Sequence, residues 1–178
     1  LVVSTESWEL LEFDAMSIFE AEAERLRKLL VQATSCEGDA FGQQLVLAAD
    51  QFIVVPGSRL EEHALARASR DEARTVMAGY HWFTDWGRDT MISLEGLTLC
   101  TGRHDEARAI LRTFSHYIRD GLLPNLFPEG QRKALYHTAD ATLWYFHAID
   151  RYYSVTGDRD TLRTLYPVIK GVVEHHLK

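Results

Sequence analysis

Cysteine is nearly absent. Cys36 and Cys100 are the only two in 178 residues. They form no paired framework and no metal-ligand spacing, so a reducing compartment, the cytoplasm, is expected. Basic charge is also in short supply: 19 Lys and Arg face 26 Asp and Glu, a net charge of −7. A nucleic-acid surface needs clustered Lys and Arg to neutralise phosphates, so no nucleic-acid partner is expected, whereas a neutral ligand such as a sugar is compatible. No apolar run approaches the length of a membrane span, so no membrane partner is expected. The opening Leu-Val-Val-Ser-Thr-Glu has no basic stretch followed by a long apolar core, and does not read as a signal peptide. The eight His show no metal signature. His104, His175 and His176 read as solvated, and His147 as a satisfied core residue. A His-Glu-x-x-His pair, a Gly-rich phosphate loop and a Gly-x-Ser-x-Gly elbow are all missing. No metal and no cofactor are expected, and Asp and Glu are left as the acid–base candidates, which points toward glycoside chemistry.

What is present is helical periodicity. Apolar residues make up 46% of the chain and charged ones 25%, a mixture that lets one domain bury a sizeable core. From Ala15 to Ala33, Met16, Phe19, Ala23, Leu26, Leu30 and Ala33 recur at spacings of three and four. Asp105 to Asp120 and the stretch from Asp160 onward carry similar stripes, and each of the three has one wet face. Between them lie segments with few charges: Asp89 to Thr101, Ala139 to Ile149 and, less clearly, Asp39 to Ala49. A helix without a polar face is expected to be surrounded by protein. The connections Gly102-Arg103-His104 and Gly157-Asp158-Arg159 are tight stop-and-restart signals, whereas Gln51 to Arg88 and Gly121 to Thr138 are long. The alternation predicts an all-α fold with concentric helices, an α/α toroid whose inner helices all run the same way. Both long loops then meet at the shared N-terminal face, where function usually sits. Gln51 to Val55 and Arg74 to Ala78 predict a small β-hairpin with a partly helical linking loop. The chain does not begin with Met and stops at Lys178 inside an amphipathic stripe, so residues 1–178 are expected to form a single partial domain of a longer protein.

Two clusters carry the chemistry. Gly79 to Ser93 sets Trp82, Asp85, Trp86, Arg88 and Asp89 at the mouth of an apolar helix. The second cluster spans Gly121 to Trp144 and offers Asn125, Glu129, Asp140 and Trp144, with Glu129 the weakest. Indoles pack against the C–H faces of a pyranose, and charged groups make directional hydrogen bonds to its hydroxyls. A structural reading stands beside this. Asp89, Thr138 or Asp140 can serve as helix caps, Asp85 can pair with Arg88, and the indoles can belong to the core. Burying so many polar groups without a task is costly, which favours function for the cluster as a whole.

Ala-Gly-Tyr-His-Trp-Phe-Thr-Asp-Trp-Gly-Arg-Asp-Thr-Met-Ile-Ser-Leu (Ala78 to Leu94) resembles the signature of the amylo-α-1,6-glucosidase family, the glucosidase domain of glycogen debranching enzymes. The resemblance continues through Leu123 to Gly130 and Tyr136 to Trp144, and covers roughly Asp50 to Lys178. The family's usual motif has Pro at the position of His81 and Asn at that of His137. The resemblance implies an (α/α)6 barrel related to glucoamylases, of which this chain is the N-terminal half, and a glycogen or branched α-glucan substrate. It also implies that Arg88 and Asp89 hold hydroxyls of the non-reducing glucose, with Trp82, Trp86 and Asp140 lining the subsite. Related enzymes invert the anomeric centre with two carboxyls roughly 6.5–9.5 Å apart. The family's Thr-Trp-Met-Asp motif, which carries the general acid, does not occur in the 178 residues, nor does the base. Both are expected beyond Lys178, in the missing C-terminal half of the barrel, and this chain alone is expected to be inactive. The other readings open at this point are a glucoamylase-like or trehalase-like (α/α)6 enzyme, and a non-catalytic helical-repeat scaffold, against which the long loops count.

Overall fold

The computed structural model describes residues 14–56, 64, 66–68, 72–80, 83–127 and 134–177. Among the described residues the named α-helices are α1 (Ala15–Gln32), α2 (Ala40–Asp50), α3 (Gly87–Leu94), α4 (His104–Ser115), α5 (Asp140–Thr156) and α6 (Arg159–His176). Their starts are written in the sequence. Asp14 accepts the Ser17 amide at 3.2 Å to open α1, and Asp39 accepts the Phe41 amide at 3.0 Å to open α2. Asp158 opens α6 by accepting the Asp160 and Thr161 amides at 3.1 and 3.0 Å. These carboxylates satisfy N–H groups that have no partner within the helix. Gly102 and Gly157, at φ +76° and +66°, make the predicted tight turns into α4 and α6.

Three β-strands accompany the helices: β1 (Ile53–Val54), β2 (Thr75–Gly79) and β3 (Phe83–Asp85). The predicted hairpin is β1 against β2, antiparallel, with Ile53 opposite Val76 and Val54 opposite Thr75. Residues 66–68 in the loop between them are helical, as expected. The expectation of a hairpin alone is corrected by β3, which adds to β2 with Met77 opposite Asp85 and Gly79 opposite Phe83. Strand β3 runs directly into α3, so the sheet fixes where that helix begins.

The main core joins α3, α4, α5 and α6 through Met91, Leu94, Ile110, Phe114, Tyr145 and Leu165, all 1% exposed or less. The Tyr145 hydroxyl, buried among them, donates to the Leu111 carbonyl at 2.9 Å. Burial pushes its phenol well above the usual range, so it stays a donor. A smaller cluster of Leu29, Ala33 and Val46 ties α1 to α2. Arg103, 4% exposed, connects that pair to the rest: it donates to Asp50 at 2.7 Å and to Glu106 at 3.0 Å. Asp50 also accepts from Arg25 at 2.6 Å. Burial raises the carboxyl of Asp50, but the Arg25 hydrogen bond and the Arg103 charge outweigh it and hold it below its ordinary value.

Two ion pairs give the direction of α3 relative to α5. Arg88 and Asp140, in the first turns of the two helices, meet at 3.1 Å. Glu95 and Arg151, seven and eleven residues further along, meet at 2.7 Å. The pairs advance together along both chains, so the helices run the same way with adjacent N-termini, as the alternating pattern predicts for inner helices. Helix α3 passes into a π-helical turn at Glu95–Leu99, a feature the apolar run Asp89 to Thr101 does not announce. Among the described residues the apolar helices are not covered on every side. Phe41, Ile92 and Leu143 are 73%, 49% and 69% exposed. Each points away from the core, and among the described residues nothing covers them. The arrangement is mostly helical with a small antiparallel sheet, consistent with part of an all-α toroid.

Two stability predictions follow from these contacts. Burial raises the Asp158 carboxyl, but hydrogen bonds from Thr161, from Tyr152 at 2.7 Å and from the Asp160 amide overcome it and hold the group at about 2. A depressed value stabilises the fold above the unfolded pKa of about 3.9 and loses that contribution as pH falls toward 2. Urea unfolding at pH 6 should therefore show Asp158→Ala destabilised by about 1 kcal/mol, in the range of a lost cap, and the gap to wild type should close between pH 4 and pH 2. A gap constant with pH would refute the assignment. Arg103→Met should cost about 1–3 kcal/mol, because it strands the buried oxygens of Asp50 and Glu106. Equal urea midpoints for variant and wild type would show that Arg25 alone suffices.

Candidate functional site

The two long loops meet at the N-terminal ends of α3 and α5. Strand β3 delivers Trp86, the N-cap of α3, which makes no side-chain cap hydrogen bond. The cap comes instead from the other loop. The Gly87 amide donates to the Asn125 carbonyl at 2.9 Å, and the Arg88 amide donates to Asn125 Oδ1 at 3.1 Å. Trp86 and Leu126 form an antiparallel bridge, and the Thr84 hydroxyl donates to the Phe127 carbonyl at 3.3 Å. The approach is so close that a Cβ on Gly87 would stand 2.1 Å from the Pro124 carbonyl oxygen. No other residue fits there.

With α3 held in this way, Arg88 reaches across to α5. Its Nη1 donates to Asp140 Oδ2 at 3.1 Å, with the side chains 41% and 46% exposed. Asp140 lies in the first turn of α5, behind an Ala139 N-cap that makes no side-chain cap hydrogen bond. Neither Asp89 nor Asp140 is therefore the cap of its helix; both are first-turn acids beside a positive helix end. Trp144, one turn beyond Asp140, is 36% exposed and meets His147 edge-on with ring centroids 5.4 Å apart. His147 is exposed, which corrects its reading as a core residue: it sits on the uncovered side of α5. Trp86 is half-buried and packs edge-on against Phe83, with centroids 5.9 Å apart.

The remaining candidates separate. Asp89 is exposed and lines a different depression of about 350 Å³, between the sheet and α3, with Phe52, Met77 and Ile92. Asp85 is 5% exposed and accepts the Thr75 hydroxyl at 2.8 Å, an anchor between β2 and β3 rather than a group at the opening. Asn125 is 1% exposed, and its Oδ1 is spent on α3. The sequence pattern groups both with the binding candidates, and the structure buries both. Trp82 and Glu129 lie outside the described residues. Two residues at this end carry no signal in the linear pattern: Gly87, whose need for a bare Cα arises from Pro124, and Thr142, whose hydroxyl accepts the Leu123 amide at 2.8 Å. A Thr two residues into a helix reads as ordinary until its loop partner is known.

The opening thus combines a half-exposed cation and carboxylate, which donate and accept hydrogen bonds, with Trp86 just before Arg88 in the chain and Trp144 one turn beyond Asp140. That mixture suits a polyhydroxylated ring. Among the described residues no group of three or more His, Cys, Asp or Glu side chains is placed to hold a metal ion, and no helix is long and apolar enough to cross a membrane.

The chain is 39% identical over 77 residues to the glycogen debranching enzyme of Saccharomyces cerevisiae, a stretch that is 43% of this chain and 5% of that much longer protein. A family model described as amylo-alpha-1,6-glucosidase matches residues 47–178. The match begins within α2 and takes in both loops, α3, α5 and the Arg88–Asp140 pair. Since it spans well over half of the sequence, the chain belongs to the amylo-alpha-1,6-glucosidase family.

Proposed function

We propose that this region forms the glucose-gripping subsite of a debranching-type glycoside hydrolase that removes α-1,6-linked glucose from glycogen or limit dextrin with inversion. The observation that carries the reading is the half-exposed Arg88–Asp140 pair between Trp86 and Trp144, at the end where the two long loops converge. Arg88 donates to ring hydroxyls and Asp140 accepts from them, while Asp89 faces the separate depression beside the sheet. Trp86 and Trp144 give the sugar's C–H faces an apolar wall. Asp85 and Asn125 act from behind, holding β3 and α3. The ligand is uncharged, in keeping with the net charge of −7, and the binding uses no cofactor. Neither of the two carboxyls that inverting hydrolysis needs is assigned within the 178 residues. The share of the reaction given to this region is recognition, and residues 1–178 are one part of a catalytic domain.

Titration calorimetry of this chain with 1-deoxynojirimycin tests the reading. Wild type should bind weakly. Arg88→Ala and Asp140→Asn should each weaken binding by about tenfold or more, since a hydrogen bond to a charged group is worth about 1.5–3 kcal/mol. Arg163→Ala, on the far helix α6, should bind like wild type. Melting temperatures should hardly move in any of the three, because exposed ion pairs contribute little to stability. Undiminished binding by Arg88→Ala would sink the assignment.

A further inference from the structure

We propose that Asn125 is a positioning residue, and that the segment 122–127 is a strap that sets Arg88 against Asp140 by gripping both helices at once. The inference rests on the reading of that pair as the sugar grip. The first grip is on α3. Asn125 supplies two acceptors, its carbonyl to the Gly87 amide at 2.9 Å and its Oδ1 to the Arg88 amide at 3.1 Å. Helix α3 has no cap of its own, since Trp86 contributes no side-chain acceptor. The second grip is on α5, where the Leu123 amide donates to Thr142 Oγ1 at 2.8 Å. Leu123, Asn125 and Thr142 are 0%, 1% and 3% exposed, so water cannot replace these bonds cheaply. The strap is itself held on its outer edge: the Asn125 amide donates to the Leu135 carbonyl and the Leu135 amide to the Leu126 carbonyl, both at 2.9 Å.

The consequence is geometric. Arg88 and Asp140 are 52 residues apart in sequence and belong to two helices. Their own contact is half in water and too weak to hold the helices in register. The distance between the first turns is set by a buried element that touches both, and its two grips, at Leu123 and Asn125, lie two residues apart. Nothing else can occupy the Gly87 position, because the strap's Pro124 carbonyl fills the space a Cβ would need. Asn125 Nδ2 has no hydrogen-bond partner among the described residues. The contacts that the described residues make with this side chain therefore run through its acceptor, Oδ1.

The test uses this chain labelled with ¹⁵N and reads amide exchange by NMR together with 1-deoxynojirimycin affinity by calorimetry. Asn125→Asp keeps the acceptor, Asn125→Leu removes it at similar size, and Thr142→Val removes the second grip without changing shape. In Asn125→Leu the Arg88 amide should exchange at least tenfold faster and affinity should fall about tenfold, as expected for a lost cap. Asn125→Asp should restore both to within about threefold of wild type. Thr142→Val should speed exchange of the Leu123 amide and weaken binding, while leaving the Arg88 amide protected. Unchanged Arg88 protection in Asn125→Leu would overturn the positioning role. So would an Asn125→Asp chain as poor a binder as Asn125→Leu, which would make the Nδ2 donor the group that matters. Should Asn125→Leu fail to fold, Thr142→Val decides the strap: wild-type affinity there overturns it. Absence of ligand binding by wild type would refute the proposed function, and the exchange rates would still decide whether Asn125 fixes Arg88.

Discussion

Parallel alignment of α3 and α5 is the constraint on which the rest of the site depends. Two helices lying side by side in the same direction bring their positive ends together, an arrangement that disfavours itself. Each end also presents N–H groups with no partner in its own helix. The sequence answers both costs at this one place. Asp89 and Asp140 stand in the first turns and offset the two positive ends. Arg88 would worsen the field if left alone, and is neutralised by Asp140 across the gap. What emerges is a small region where cation, carboxylates and helix ends are balanced but only half-desolvated. Its charged groups keep hydrogen-bonding capacity for a neutral ligand that brings many hydroxyls.

The second half of the answer is backbone. Cap side chains are the usual source of acceptors at a helix start, as Asp14, Asp39 and Asp158 show on α1, α2 and α6. On α3 that position is held by Trp86, whose indole packs edge-on with Phe83 instead. The acceptors are imported from Asn125, 37 residues away. A surface helix can afford a local cap, whereas a helix that opens onto a ligand has its N-cap position committed to something else. Importing the cap frees Trp86, and it requires the close backbone approach that only glycine at 87 permits.

This division explains what could be read in the linear sequence. The amphipathic helices α1, α4 and α6 are local objects: stripes at three- and four-residue spacing, an Asp cap before α1 and α6, and a glycine turn leading into α4 and α6. All of that is contained in one window of sequence, and their bounds follow closely. Strand β3 escaped because Phe83-Thr84-Asp85 is too short to show alternation and is an edge strand on a hairpin. The π turn at Glu95–Leu99 is not announced by its sequence; it begins at Glu95, whose Oε1 accepts from both Nε and Nη2 of Arg151 on α5. At the candidate site, the clustering of residue types in two stretches anticipated that Arg88 and Asp140 come together. Asp85 and Asn125 were legible as important but not as buried, because an acceptor looks the same in sequence whether it serves a ligand or an amide. His147 failed for the converse reason: an apolar neighbourhood in sequence says nothing about which side of the helix lacks a neighbour.

The separation between grip and stability has a physical origin. The large buried side chains, Phe114, Tyr145, Met91, Leu94 and Ile110, lie on the side of α3, α4 and α5 turned away from the opening. Burial of such groups carries the hydrophobic term, at about 1.5–3 kcal/mol for each fully buried large apolar side chain. The opening holds instead half-exposed ion pairs and ring edges, which contribute little to folding because water competes for the same groups. For the same reason they remain available. A guanidinium fully committed to a buried carboxylate, as Arg103 is to Asp50, has no hydrogen bond left to give a ligand. Arg88, with 41% of its side chain still in contact with solvent, does. The two arginines have the same chemistry and opposite uses, and burial alone decides which is which.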